Sequence, residues 1–479
     1  IGSEWKSFYA QAQLSAFFKK SVQFDFGVDT AAEAFSLFLK SEELCRKTNE
    51  SLRDASSPNY GTRATLIFKM SRKIMQILGT CPSLDDLSFN FGPGTNVGCN
   101  KSTNSRHKLS ADCTATVACY RLMQTYHQNS QTWPGLDDIR LSRGSKFATV
   151  PKTSLTDRGI NIEPILNSFV QKGVGAYIRK RLKSKAGVNL NDQTVNQLFA
   201  RVGSKTGRYA TIDLSMASDL ISYNLVLDLL PFDWFVLLDS CRSPEVRLPD
   251  GSWIELEKFS SMGNGATFEL ESLIFYSLLQ VVADDHGVTY DELSVYGDDL
   301  ICPVEMYDSV CHGLELLGFI PNRTKSFSDG PFRESCGKDY FGGTEVRPVF
   351  LKEKMSMKEL FRLHNYFFRQ GYIPEAIDVV LSFIRKRDRI FGPDGRGDGH
   401  LVTNHNKILA DKRGWSPYVL YRSYVAKPYI NSRPLSGDYG AFLLGNERKE
   451  PSDDNVSETM FQERSRHVRY ALKNFRMPA

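Results

Sequence analysis

Nowhere in this chain of 479 residues is there a run of the roughly 18–20 apolar residues that a membrane-spanning helix needs. The richest stretch, 220–239, is broken by Asn224, Asp228, Pro231 and Asp233, which makes it a core segment and leaves no membrane partner to expect. Cysteine lacks pattern as well: nine thiols, at 45, 81, 99, 113, 119, 241, 302, 311 and 336, form no Cys-x-x-Cys pair. Scattered reduced thiols of a cytosolic protein fit this better than a disulfide framework or a zinc site. His400 and His405 have no partners at ligand spacing and read as structural. Charge of one sign is also missing in excess. With 60 basic against 55 acidic side chains the net charge is only +5, so any case for nucleic acid rests on where the charges lie. There are no internal repeats and no long low-complexity tract. The chain does not begin with Met, so the lack of a leader-like stretch excludes nothing.

What is present is an ordinary globular composition, 41% hydrophobic and 24% charged, long enough for two or three domain-sized units. Residues 1–75 read as helical, with Asp29 and Thr30 as caps before a run of apolar side chains at helical intervals. One stretch organises the rest. Leu293-Ser-Val-Tyr-Gly-Asp-Asp-Leu-Ile-Cys-Pro303 places two β-prone runs around Tyr296-Gly297-Asp298-Asp299, which predicts a tight hairpin with two adjacent carboxylates at its tip. Like charges side by side need water or a cation, and a hard divalent ion such as Mg²⁺ takes carboxylate oxygens. Upstream, Tyr209 to Asp219 reads as a short buried strand ending at Asp213, then a turn with Ser215 and Ser218. A strand-end carboxylate on a neighbouring strand can meet the hairpin tip. Asp213, Asp298 and Asp299 together would hold two Mg²⁺ about 3.5–4 Å apart, the arrangement that serves phosphoryl transfer.

Basic residues accumulate from Arg140 to Lys185, where Asp157 and Glu163 are the acids. Within that segment Lys146, Lys152 and Arg158 lie in an extended portion, whereas Arg179 to Lys185 is equally well a solvated helix face. Ser260-Ser-Met-Gly-Asn-Gly265 leads into a helical run from Phe268, and such a Gly-rich loop presents amides to phosphate or ribose. Phe89 to Gly98 is a second Gly/Asn loop, either a backbone-approaching loop or a plain surface one.

These phrases in this order, with Asn191-Asp192-Gln193-Thr194 and Gly330-Pro-Phe-Arg-Glu-Ser-Cys-Gly337, resemble the motifs of right-hand, palm-type RNA-dependent RNA polymerases. The match is closest to the replicase subunit of the small RNA bacteriophages, the leviviruses. The resemblance covers about Phe24 to Trp415 and implies an α+β fold of fingers, palm and thumb, with an antiparallel palm sheet carrying the Gly-Asp-Asp hairpin. The division it implies is 1–205 for the N-terminal region and fingers, with motif F near 146–164, and 206–345 for the palm, with an insertion near 223–259. Residues 346–445 are then the thumb, and 446–479 a polar linker and a basic terminal helix.

The resemblance assigns Asp213, Asp298 and Asp299 to catalysis and to two Mg²⁺ ions, with Mn²⁺ as substitute. Lys146, Lys152 and Arg158 fall to the triphosphate. Asp219 is expected near the ribose 2′-hydroxyl, although a helix N-terminal acid would look the same. Ser261, Gly263 and Asn264 belong to the nucleotide loop. Many palm polymerases carry Asn one turn after the Thr of that segment, where this chain has Glu271. Lys325 matches a lysine that can act as acid toward pyrophosphate. Interleaved Tyr418, Tyr421, Tyr424 and Tyr429 with Arg422, Lys427 and Arg433 either stack bases or pack in a core.

By the same resemblance the function is primer-independent copying of a positive-strand RNA phage genome from ribonucleoside triphosphates, in the host bacterial cytoplasm. The implied partners are template and product RNA, host elongation factors Tu and Ts, and a ribosomal protein. A shortened N-terminal extension relative to the phage enzymes is also expected. Two competitors remain at this stage. A reverse transcriptase would prefer deoxynucleotides, against which Asp219 argues; a non-catalytic RNA-binding scaffold would have no use for the intact acid set.

Overall fold

The computed structural model describes residues 4–21, 24, 26–100, 108, 111–128, 139–404, 418–426 and 470–478. Three helices open the chain: α1 (Glu4–Lys19), α2 (Thr30–Arg53) and α3 (Tyr60–Leu78). α2 starts where it does because the Asp29 carboxylate accepts from the Ala31 and Ala32 N–H groups at 3.1 and 3.0 Å, satisfying amides that have no partner within the helix. Its buried stripe, Ala34, Phe38, Ser41, Cys45 and Leu52, keeps helical spacing. The described chain falls into two compact units. One takes the residues before Lys6 and Gly27–Arg347, and the other combines Lys6–Phe26 with the residues from Pro348 onward.

In the larger unit a hairpin of β1 (Gly144–Pro151) and β2 (Asp157–Ile162) leads into α4 (Ile165–Ala186) and α5 (Thr194–Thr206). β3 (Tyr209–Ile212) follows, buried at all four positions. Residues 223–259 then send out β4 (Glu245–Arg247) and β5 (Trp253–Glu255), which extend the first hairpin into a sheet of order β2-β1-β4-β5. α6 (Thr267–His286) is buried on nearly every face as far as Ala283 and stops at Gly287, a left-handed residue of the kind that ends helices. The central sheet is completed by β6 (Ser294–Tyr296) and β7 (Asp299–Pro303), in the order β3-β7-β6. Both pairings are antiparallel, with Leu300 opposite Ile212 and Asp299 opposite Tyr296. A second hairpin, β8 (Phe332–Ser335) and β9 (Lys338–Phe341), is tied to β3 by the fully buried Arg333. Its guanidinium donates to the carbonyls of Tyr209 at 2.6 Å and of Ser328 at 2.6 Å.

The smaller unit packs α7 (Met357–Gln370) and α8 (Pro374–Ser382) around Val349, Phe361, Leu363, Phe367, Val380 and Leu401. α1 joins through Gln13, which donates to the Val349 carbonyl at 2.9 Å and accepts from its N–H at 3.0 Å. The terminal segment departs from the sequence expectation. Residues 470–478 form a strand, not part of a basic helix: β11 (Tyr470–Pro478) pairs antiparallel with β10 (Tyr418–Ala426) along its whole length. The basic side chains spaced through this segment suit either conformation. A distant partner strand and the stacking of Phe475 on Tyr421, ring centroids 5.4 Å apart, decide it. Tyr421 and Tyr424 are packing residues, Tyr424 lying 6.2 Å from Phe361 ring to ring. His400 is wholly buried and bonds Ser423 and the Pro393 carbonyl, a structural histidine as expected. His405, Tyr429, Lys427, Arg433 and residues 446–469 lie outside the described residues.

Candidate active site

Asp213 leaves the end of β3 and faces the turn between β6 and β7. That turn is Gly297-Asp298, with Gly297 at φ +61, the positive value that favours glycine at the first central position of a two-residue hairpin loop. Asp298 stands exposed at the tip. It acts on Asp213 electrostatically: burial raises the Asp213 pKa, Lys325 opposes this, and Asp298 pushes it further up. Asn322 Nδ2 donates to Asp213 Oδ2 at 3.0 Å, and the Lys325 ammonium lies 3.6 Å from the same oxygen. Asp299 has bonds of its own. Its two oxygens accept from Ser335 Oγ at 3.3 Å and from the Cys336 N–H at 3.2 Å, at the tip of the β8–β9 hairpin. Burial, and after it Asp298, push the Asp299 carboxyl up to about 7.

The β1–β2 hairpin brings cations to these acids. Lys152 sits at its turn, where crowding by protein atoms lowers the ammonium pKa, Arg158 and Lys325 lower it further, and Asp298 and Asp213 oppose them. Lys152, Arg158, Lys325, Asp213 and Asp298 therefore share one electrostatic neighbourhood. Lys146 is exposed farther along β1, opposite Ile162 and Arg247 in register. In the basic helix, Arg179 and Arg181 are structural. Arg179 grips Glu269 at 2.6 Å and the Leu190 carbonyl at 2.8 Å, and Arg181 donates to the Ile77 carbonyl at 2.9 Å. In the 89–98 loop the buried Lys108 donates to Asn96 Oδ1 at 2.5 Å and to the Gly94 carbonyl, which favours a pinned structural loop.

Asp219 is held by a residue that the sequence did not single out. Lys258, wholly buried, lies 3.0 Å from Asp219 Oδ1 and 3.2 Å from Glu42 Oε1, and donates to Ser41 Oγ at 2.8 Å. Burial works against the ammonium, yet Asp219 and Glu42 outweigh it and hold the pKa above the ordinary lysine value. Glu271 lies between the two acidic turns. Its carboxyl is pushed up to about 8, first by burial and then by Asp298.

The loop preceding α6 is clamped on two sides. Asn161 Nδ2 donates to Ser261 Oγ at 3.0 Å, the Asn161 N–H donates to the Met262 carbonyl at 2.8 Å, and the Gly265 N–H donates to Gln171 Oε1 at 3.1 Å. A Cβ on Gly263, already at φ +115, would come within 2.1 Å of the Asn161 carbonyl oxygen, so no larger residue fits. Ser261 is buried against Asn161, and Asn264 caps the Ala266 N–H at 2.9 Å; Gly263 is the exposed member of the three.

Behind this clamp, Gln171 also donates to Glu163 Oε2 at 3.1 Å, which accepts from Ser243 Oγ at 2.6 Å. Burial pushes the Glu163 carboxyl from 4.5 up to about 7. The sign follows from linkage. Below about pH 4.5 both folded and unfolded chains carry the proton; between there and about pH 7 only the unfolded chain ionises, so stability falls as pH rises. The full penalty above pH 7 is roughly 3 kcal/mol. Glu163→Gln is therefore expected to flatten that decline and to be the more stable protein at pH 8, measured by denaturant unfolding across pH.

Asp213 and Asp298 suit Mg²⁺, which uses one or two carboxylates together with substrate phosphates. Asp299 has its oxygens committed to Ser335 and Cys336. Among the described residues no three His, Cys, Asp or Glu converge as a self-sufficient metal site. Nor is any described helix long and apolar enough to cross a membrane.

Similarity to known proteins agrees with this chemistry. The family model "RNA replicase, beta-chain" matches residues 6–473. The RNA-directed RNA polymerase subunit beta of Escherichia virus Qbeta is 39% identical over 438 residues, which are 86% of this chain and 72% of that protein. The corresponding subunit of Enterobacteria phage SP is 39% identical over 83% of this chain and 70% of its own. The beta chain of Escherichia phage MS2 is 46% identical over 325 residues, 64% of this chain and 59% of its own. The polymerase of a human picorbirnavirus superposes loosely, with TM-score 0.45 and 14% identity over 81% of this chain and 80% of its own. The class is thus that of an RNA-directed RNA polymerase. Within that class, the chain belongs to the RNA replicase beta-chain family.

Proposed function

We propose that this chain is the catalytic subunit of a phage RNA replicase, built as a right hand whose palm is the β3-β7-β6 sheet with the Gly297-Asp298 turn. The observation that carries the reading is the juxtaposition of Asp213 at a strand end with Asp298 on the adjoining hairpin, under the cations Lys152, Arg158 and Lys325. Asp213 and Asp298 would hold Mg²⁺, with Mn²⁺ as substitute; such ions supply charge neutralisation at the reacting phosphate and lower the pKa of the attacking hydroxyl. Asp299 assists, anchoring the turn through Ser335 and Cys336 beside the two metal-holding acids.

In the reaction a 3′-oxygen bonds to the α-phosphorus of a ribonucleoside triphosphate, and the bond to pyrophosphate breaks. Lys152 and Arg158 offset charge on the triphosphate as pyrophosphate departs. Lys325, now on Asp213, is placed to give a proton to the leaving group. The Gly263 loop presents backbone to the nucleotide. Asp219, with one oxygen on Lys258, offers the other to the ribose 2′-hydroxyl. Template and product RNA, host elongation factors Tu and Ts and a ribosomal protein are the proposed partners, and initiation is proposed to need no primer. "Beta" in the relatives' names supports a multi-subunit enzyme, and their phage origin supports one that works in the host cell.

The test is incorporation of labelled nucleotides on a short cytosine-ended RNA with Mg²⁺, with and without factors Tu and Ts. Ribonucleotide incorporation is expected; incorporation of deoxynucleotides in preference would overturn the reading. In the same assay Asp219→Ala is expected to narrow the ribonucleotide preference, and an unchanged ratio would remove Asp219 from sugar selection.

A further inference from the structure

Glu271 is 3% exposed, and its Oε2 has no hydrogen-bond partner. Its carboxyl lies beside Ser218, the neighbour of Asp219, while its Oε1 lies 3.1 Å from where a Cβ on Gly297 would stand. The residues beside it hold the same turn: Ser272 Oγ accepts from the Gly297 N–H at 3.1 Å, and Phe268 meets Tyr296 edge-on at 5.0 Å. Asp298, Asp219 and Glu269 all act on the Glu271 carboxyl, and each is acidic. A buried carboxyl with an unpaired oxygen among acids lowers stability, and an apolar side chain of similar size would be cheaper.

We propose that Glu271 is a positioning residue that sets the spacing between the turn carrying Asp219 and the turn carrying Asp298, at the expense of stability. This rests on the site reading above. Ser218 on one side and the Gly297 backbone on the other give it contact with both turns at once. Buried at 3% exposure against the two turns, it reaches the chemistry through the acids they carry.

The test compares the wild-type chain, Glu271→Leu, Glu271→Gln and Asp298→Asn for melting temperature and for kcat and KM of ribo- and deoxyribonucleotides. Glu271→Leu is expected to melt higher than wild type while kcat falls by about tenfold or more, since small misplacement of reacting groups can cost up to ~100-fold. KM should change less than kcat, and the ribonucleotide preference should narrow. Glu271→Gln, which keeps the size and polarity of the side chain between the two turns, should retain most of kcat. An unchanged kcat in Glu271→Leu overturns the proposal. So does a fall in activity that matches a fall in folded protein, or a Gln variant no better than Leu. If the wild type makes no product, or Asp298→Asn loses nothing, the site reading itself fails and this inference falls with it; if those two behave as expected, the Glu variants judge Glu271 alone.

Discussion

Replacing Asp298 with Asn is expected to lower kcat for nucleotide incorporation by at least about a thousandfold, because several kcal/mol of transition-state stabilisation go with the metal and each 1.36 kcal/mol is a factor of ten. The change is close to isosteric and sits at an exposed turn tip, so the fold has little to lose. Gly297 keeps its positive φ and its bond to Ser272, and Asp299 keeps Ser335 and Cys336. What disappears is the negative charge that faces Asp213. Single-turnover kinetics with a preformed RNA complex separate this from a binding defect: RNA affinity should stay close to wild type while the chemical step fails. Activity within tenfold of wild type would move the catalytic centre away from this turn.

Lys258→Met is expected to lower the stability of the larger unit by about 3–5 kcal/mol, the usual penalty for removing one partner of a buried ion pair. Lys258 has no exposed surface and serves Glu42, Asp219 and Ser41 together, with its ammonium 4.3 Å from the centre of the Phe38 ring. Without it the Glu42 carboxylate, whose pKa burial already raises, is left in the core with the Glu257 N–H at 2.7 Å as its remaining bond. Denaturant unfolding reads the loss. The pair Glu42→Met and Lys258→Met should recover much of it, because an apolar pair has no charge to bury. Asp219 loses its cation in both variants, so the ribonucleotide preference should shift in both, whether or not stability returns. A single variant as stable as wild type would mean that water reaches this ion cluster.

The acids and cations of the site were legible because each sits in a local pattern with its own chemistry. Adjacent Asp298 and Asp299 after a Gly between β-prone runs announce a turn that needs a cation. Lys152 and Arg158 lie in an extended basic segment that folds as a hairpin. Local pattern did not separate Asp298 from Asp299. One residue along the chain changes what a side chain meets, and here Asp299 bonds the β8–β9 hairpin while Asp298 stands exposed at the tip. Lys146 stayed behind for a related reason, since its strand carries it down the sheet, away from the turn that delivers Lys152.

What was illegible depends on partners far apart in the chain. Lys258 is an ordinary lysine in sequence, and nothing before the fold links it to Glu42, more than two hundred residues earlier. Glu271 stood out in sequence only as a departure from the Asn of that motif, and its place against the Gly297 turn came with the fold. The terminal strand offered basic residues that suit a helix as well as a strand, and pairing with β10 settled it.

By itself, then, the sequence determined the chemistry available: a hairpin with carboxylates, a strand-end Asp213, a Gly-rich loop before a helix and a basic hairpin, each set by short-range backbone preferences and charge. The tertiary structure decided which carboxylates face one another, which cation neutralises each, and which acid is buried without a partner, because burial and electrostatic pairing are properties of neighbours in space and not of neighbours along the chain.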